Sequence, residues 1–233
     1  MNTARNPRHD FRFTSKDGLQ IACSRWESSG PPRGAIQLAH GLGEHSGRYC
    51  ELIAALGDAG FVVYANDHRG HGRTAATREQ LGDFGAGGFD LLVDDMFTLS
   101  LLAKQENPGK PFLLFGHSMG SFASQQYVLD HSQSIDGLVL SGSGILDGVL
   151  ELAVTAGAEN PDFLNARFAP ARTPYDWLSR DPGVPDAFMA DPLCFPALQP
   201  ASAVSFLATS ARLSDPGSFQ NSPRFARLYI FGQ

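Results

Sequence analysis

Phe112-Leu113-Leu114-Phe115-Gly116-His117-Ser118-Met119-Gly120-Ser121-Phe122-Ala123-Ser124-Gln125-Gln126-Tyr127 is the stretch that decides the fold. Its four leading apolar residues read as a short strand buried on both faces, and Ser121 to His131 reads as a helix. Between them stands Gly116-His117-Ser118-Met119-Gly120, a G-x-S-x-G string. In a chain with 25 glycines the string alone is weak. Set between a strand and a helix, it has the context that a nucleophile elbow requires. The sharp turn strains the backbone of Ser118, and the small Gly116 and Gly120 let strand and helix approach. The Ser118 hydroxyl then stands at a helix N-terminus, where backbone N–H groups and the helix dipole favour negative charge. The plainer reading is a glycine-containing turn with a capping serine. The flanking elements favour the elbow.

Outward from this stretch the same alternation recurs. Strand-like runs at Phe11 to Phe13 and Leu19 to Trp26 flank a turn signal at Lys16-Asp17-Gly18. Ala35 to Ala39, Phe61 to Ala65 and Leu138 to Leu140 are short apolar runs. Tyr49 to Ala59 and Phe89 to Lys104 have helical spacing, the latter through Leu92, Met96, Leu99 and Leu102. Helical patterns alternating with continuous apolar runs predict an α/β fold with a mostly parallel sheet covered on both faces. After Gly144 the texture changes: 10 of the 15 prolines lie beyond residue 160, and the pairs Asn160-Pro161, Asp181-Pro182 and Asp191-Pro192 break the chain into short pieces. The division expected is a core over residues 1–144, a helical cap over 145–215, and a return to the core over 216–233, where Leu228 to Phe231 reads as a strand.

Composition narrows the function. The 233 residues are 42% hydrophobic and 18% charged, enough to bury a large core. A net charge of −6 lacks the basic footprint of a nucleic-acid binder. There is no apolar run long enough to span a membrane and no apolar signal segment at the N-terminus, so a cytoplasmic protein is expected. Cys23, Cys50 and Cys194 are expected as reduced, buried thiols.

Two further loops carry polar clusters. His40-Gly41-Leu42-Gly43-Glu44-His45 follows the run Ala35 to Ala39, where this fold class places a second oxyanion donor. The Leu42 N–H is the expected donor, beside the Met119 N–H after the nucleophile. Asn66-Asp67-His68-Arg69-Gly70-His71-Gly72-Arg73 invites a metal reading, but no cysteine is near. A loop held by its own hydrogen bonds and ion pairs is the expectation. Gly70-x-Gly72-x-x-Ala75 mimics a dinucleotide fingerprint without the helix that should follow it, so a nucleotide-dependent oxidoreductase is disfavoured. Asp94-Asp95 is expected on a solvated helix face, and His131 as a partner of a helix dipole. No metal or cofactor is expected.

Together, His40-Gly41-Leu42-Gly43-Glu44-His45-Ser46-Gly47-Arg48-Tyr49, Asp67-His68-Arg69-Gly70-His71-Gly72 and Gly116-His117-Ser118-Met119-Gly120 resemble the monoacylglycerol lipase and lysophospholipase branch of the α/β-hydrolases, grouped under the serine aminopeptidase S33 domain. Trp177 to Pro182 and Ala190 to Leu193 are similar to that family's cap-to-core stretch. The resemblance implies a carboxylic-ester hydrolase acting on small acyl esters, with Ser118 as nucleophile, Leu42 and Met119 amides as oxyanion hole, and no cofactor. Leu42-Gly43 differs from the proline-iminopeptidase pattern and favours esters over peptides. The family's triad acid and histidine follow a late strand, and Arg227 to Gly232 is similar to that strand. The expectation is therefore a C-terminally incomplete chain of weak or no activity, with an unpaired sheet edge. The alternative is a non-catalytic domain of the same fold that binds a ligand or partner. Peripheral membrane contact through the cap and the oligomeric state are left open.

Overall fold

The computed structural model describes residues 6–148, 151, 163–219 and 228–231. Their strands are β1 (Arg8–Thr14), β2 (Gln20–Trp26), β3 (Gly34–Ala39), β4 (Phe61–Asn66), β5 (Phe112–His117), β6 (Gly137–Ser141) and β7 (Leu228–Phe231). They form one sheet in the order β1-β2-β4-β3-β5-β6-β7. β1, β2 and β4 pair antiparallel, and every pair from β4 to β7 is parallel. The turn at Lys16-Asp17-Gly18 closes the β1–β2 hairpin, with Gly18 at φ +90 supplying the left-handed residue.

The helices are α1 (Cys50–Asp58), α2 (Gly88–Glu106), α3 (Met119–His131), α4 (Gly183–Ala190) and α5 (Pro200–Ser214). Side chains alternate across a strand, and β4 shows the result. Val62 and Tyr64 enter a cluster with Leu92, Met96 and Tyr127 of α2 and α3. Val63 and Ala65 enter another with Ile53, Leu52 and Leu56 of α1. The sheet is thus covered on both faces. Burying each Leu, Val or Phe side chain contributes about 2 kcal/mol relative to exposure. One polar residue on β3, Gln37, is fully buried. Its amide donates to Met96 O and accepts from the Ser100 hydroxyl, which in turn accepts from Tyr127. That chain of bonds joins β3 to α2 and α3.

α5 packs on α2 and α3. Ser202 and Ser205 accept from the amides of Phe84 and Phe89, Thr209 donates to Gln126, and Phe206 lies against Phe89 and Phe122. Asn160-Pro161, Arg227 and Gly232 lie outside the described residues. No helix among the described residues is long and apolar enough to cross a membrane.

Two expectations are corrected, on Asp95 and on Cys50. Asp95 is not solvated: it is buried and paired with the fully buried Arg69 at 2.8 Å, because the two successive aspartates diverge around the helix. Asp94, the other of the two, does face solvent and meets Lys16. His131 does lie in the last turn of α3; burial lowers its pKa and its ring stacks on Phe97 at 3.8 Å. Cys23 and Cys194 are buried free thiols, but Cys50 is exposed at the first turn of α1.

Candidate active site

β5 ends at His117, and α3 begins at Met119 rather than at Ser121. Only Ser118 separates them, so the whole reversal falls on one residue, at φ 50 and ψ −120. Its N–H donates to Ser141 O on β6, and its carbonyl accepts from the Ser121 N–H and hydroxyl. The side chain makes no capping bond to its own helix, so the hydroxyl is left free there. The two flanking glycines are required by contact. A β-carbon at Gly116 would strike the Gly120 carbonyl and the Ser124 hydroxyl. One at Gly120 would strike the carbonyls of Ala39 and His40. Helix α3 therefore starts against the end of β3, which brings the 40–43 loop to Ser118: a β-carbon at Gly41 would stand 3.3 Å from that of Ser118.

The 40–43 loop is held at successive atoms. The Gly41 N–H donates to Glu44 Oε1 at 2.7 Å, and the Tyr49 hydroxyl donates to the same oxygen. The Gly41 carbonyl accepts from His40 Nδ1 at 2.8 Å. The Gly43 carbonyl accepts from Phe195 N–H at 3.0 Å. Among the described residues, the Leu42 N–H has no such partner. Leu42 is half-buried and Met119 buried. Glu44, Tyr49 and Phe195 were not singled out as site residues from the sequence. Glu44 stands three residues from Gly41, a spacing at which a carboxylate reaches back to a loop amide. Phe195 carries no such signal.

The cluster after β4 underlies this loop, as expected of hydrogen bonds and ion pairs, and its partners extend to the loop after β3. Asp67 accepts from the Ser46 N–H and hydroxyl on one oxygen and from Arg73 N–H and Nε on the other. Burial works against its charge and is outweighed by His40, Arg73 and these donated bonds, so its carboxyl sits well below the usual range. His68 N–H donates to His40 Nε2 at 3.0 Å. Burial holds His40, His68 and His71 below the usual histidine pKa, His71 at about 3. Gly72–Thr74 is a single 3₁₀ turn, and α2 does not begin until Gly88, so the Gly70-x-Gly72 pattern opens no helix that could receive a phosphate.

His45, Asp191 and Cys194 offer ligand atoms within 4.8 Å of one another. His45 Nδ1 accepts from Gly47 N–H, so Nε2 carries the proton and donates to Asp191 at 2.9 Å. No ring lone pair is then free for a cation, and burial pushes the Cys194 thiol up to about 12. A cavity of about 300 Å³ lies elsewhere, lined by Asp17, Arg69, Thr74, Asp83 and Phe84 among others, without Ser118, Leu42 or Met119 in its wall.

A family model described as serine aminopeptidase, S33 matches residues 30–221. A monoacylglycerol lipase of Mycolicibacterium smegmatis is 34% identical over 200 residues, which cover 83% of this chain and 68% of that protein. A monoglyceride lipase of Mus musculus is 31% identical over 205 residues, covering 86% and 66% respectively. The crystal structure of a thermostable carboxyl esterase from Bacillus coagulans in complex with glycerol superposes with a TM-score of 0.82 at 28% identity, over 96% of this chain and 78% of that one. The chain spans about two-thirds of the length of the curated relatives it matches.

Proposed function

This chain belongs to the serine aminopeptidase S33 family, and from that membership we propose a serine hydrolase of carboxylic esters, of the monoacylglycerol lipase or lysophospholipase type, working through an acyl-enzyme on Ser118. The observation that carries the reading is Ser118 itself. It sits with positive φ at the N-terminus of α3, its hydroxyl spared from capping, with the 40–43 loop against it. In this reading the Ser118 oxygen attacks the ester carbonyl, the alcohol departs with a proton, and water later releases the acid. The Met119 and Leu42 N–H groups receive the charge that develops on the carbonyl oxygen, each contributing about 3 kcal/mol.

All seven histidines lie among the described residues, and none hydrogen-bonds the Ser118 hydroxyl; the neighbouring His117 ring meets Ser141 at 3.2 Å instead. A serine without a base is a poor nucleophile at neutral pH. We therefore expect these 233 residues to acylate Ser118 slowly and to turn over esters near background. The same observation favours a second reading, in which the chain binds a ligand or partner without turnover. Of the seven large apolar side chains exposed among the described residues, six fall between Ile145 and Leu207. This supports contact of that segment with a lipid surface.

Incubation of the intact chain with p-nitrophenyl butyrate, followed by peptide mass analysis, tests the proposal. An acyl adduct on the Ser118 peptide that vanishes in Ser118→Ala is expected. An adduct on the same peptide at equal yield in Ser118→Ala would sink the assignment, and ligand binding with no adduct would favour the second reading.

A further inference from the structure

The peptide unit joining Gly41 to Leu42 contains both the Gly41 carbonyl and the Leu42 N–H. A trans peptide is planar, so these two groups point in opposite directions. Whatever grips the carbonyl therefore aims the N–H. The grip here is His40 Nδ1 at 2.8 Å, from a ring with no exposed surface. Its partners settle the tautomer. A carbonyl only accepts, so Nδ1 carries the proton; the His68 backbone N–H only donates, so Nε2 offers its lone pair. The ring is wedged against His68 and His71, with centroids at 4.2 and 5.3 Å. The preceding peptide is fixed independently by Glu44, and the Gly43 carbonyl by Phe195.

We propose that His40 is a positioning residue: its neutral ring locks the Gly41–Leu42 peptide in the orientation that presents the Leu42 N–H to developing negative charge. The proposal rests on the reading of Leu42 as an oxyanion donor and adds what holds that donor in place before any ligand arrives. Turning the peptide over would strip the buried Nδ1–H of its acceptor and face two N–H groups toward each other. Without the ring proton the peptide is free to turn, and the donor is lost for part of the population.

The test joins a readout that needs no activity to one that does. In protein labelled with ¹⁵N-histidine, His40 should show the neutral Nδ1–H pattern at pH 8. An Nε2–H tautomer would overturn the lock. Kinetically, His40→Phe keeps a ring without the donor, whereas His40→Asn keeps an N–H near the Nδ1 position. Ser118-dependent acylation should slow about 100-fold in His40→Phe, with KM within about twofold and the far-ultraviolet dichroism unchanged. His40→Asn should recover at least about tenfold of that loss. Equal losses in the two variants, or an effect confined to KM, would refute the proposal. Should His40→Phe fail to fold, His40→Gln replaces it: its amide reaches the Nε2 position and must be slower than His40→Asn. If the unaltered chain shows no Ser118-dependent acylation, the functional reading fails, and the ring spectrum alone still decides whether His40 holds the peptide.

Discussion

Ser118 is the one non-glycine residue with positive φ among those described. Such a backbone state costs about 1–3 kcal/mol in a residue with a β-carbon, and glycine escapes that penalty. Ser118→Gly should therefore raise the unfolding free energy by about 1 kcal/mol in a urea titration while abolishing acylation. Ser118→Ala keeps the β-carbon and should abolish acylation with no gain in stability. Equal stability of the two variants would show that the turn is not strained. The tight strand-to-helix turn at Ser118 was legible in sequence because its strand, glycines, serine and helix lie in one uninterrupted stretch. The bonds around the 40–43 loop were less so. Phe195 reaches Gly43 from a distant part of the chain, and His45 and Asp191 are 146 positions apart. A pairing of that kind exists only once the sheet has brought the segments together.

At the scale of elements, the β1–β2 hairpin is fastened to α2 by Arg69, which bonds Ser15, Asp17, Asp95 and the Phe84 carbonyl. Removing one partner of a buried ion pair costs about 3–5 kcal/mol because a charge is stranded. Asp17 remains to offset part of this, so Asp95→Ala should destabilise by about 3 kcal/mol. Asp94→Ala removes only the exposed pair with Lys16 and should cost under about 1 kcal/mol. Chemical denaturation of the two variants measures the contrast, and similar losses would contradict it. The sequence shows why the aspartates were misread together. Periodicity marks Leu92, Met96 and Leu99 as inward-facing, but it cannot reveal that an arginine from the loop after β4 waits beside one of the carboxylates.

For the whole molecule, the three buried histidines set the response to acid. Burial keeps His40, His68 and His71 below the ordinary value, His71 at about 3, whereas the unfolded chain binds these protons near pH 6.5. The unfolded state then holds more protons than the folded one, so this stability is complete above about pH 6.5 and is lost as the pH falls below it. Each histidine contributes up to about 1.4 kcal/mol per pH unit. Asp67, held low by His40, Arg73 and its donated bonds, adds a later loss below the ordinary carboxylate range. Urea midpoints at pH 7.5, 6 and 5 should fall steadily, and a flat profile over that interval would contradict the neutral burial of the three rings. The fold class was readable from alternating patterns, because a two-sided core leaves continuous apolar runs in its strands and stripes in its helices. β3, β5 and β6 run parallel and side by side, so the turns that leave them emerge along one rim. Editing those turns redraws what the molecule accepts while the strands beneath keep their pairings, so new tastes can evolve here without renegotiating the fold.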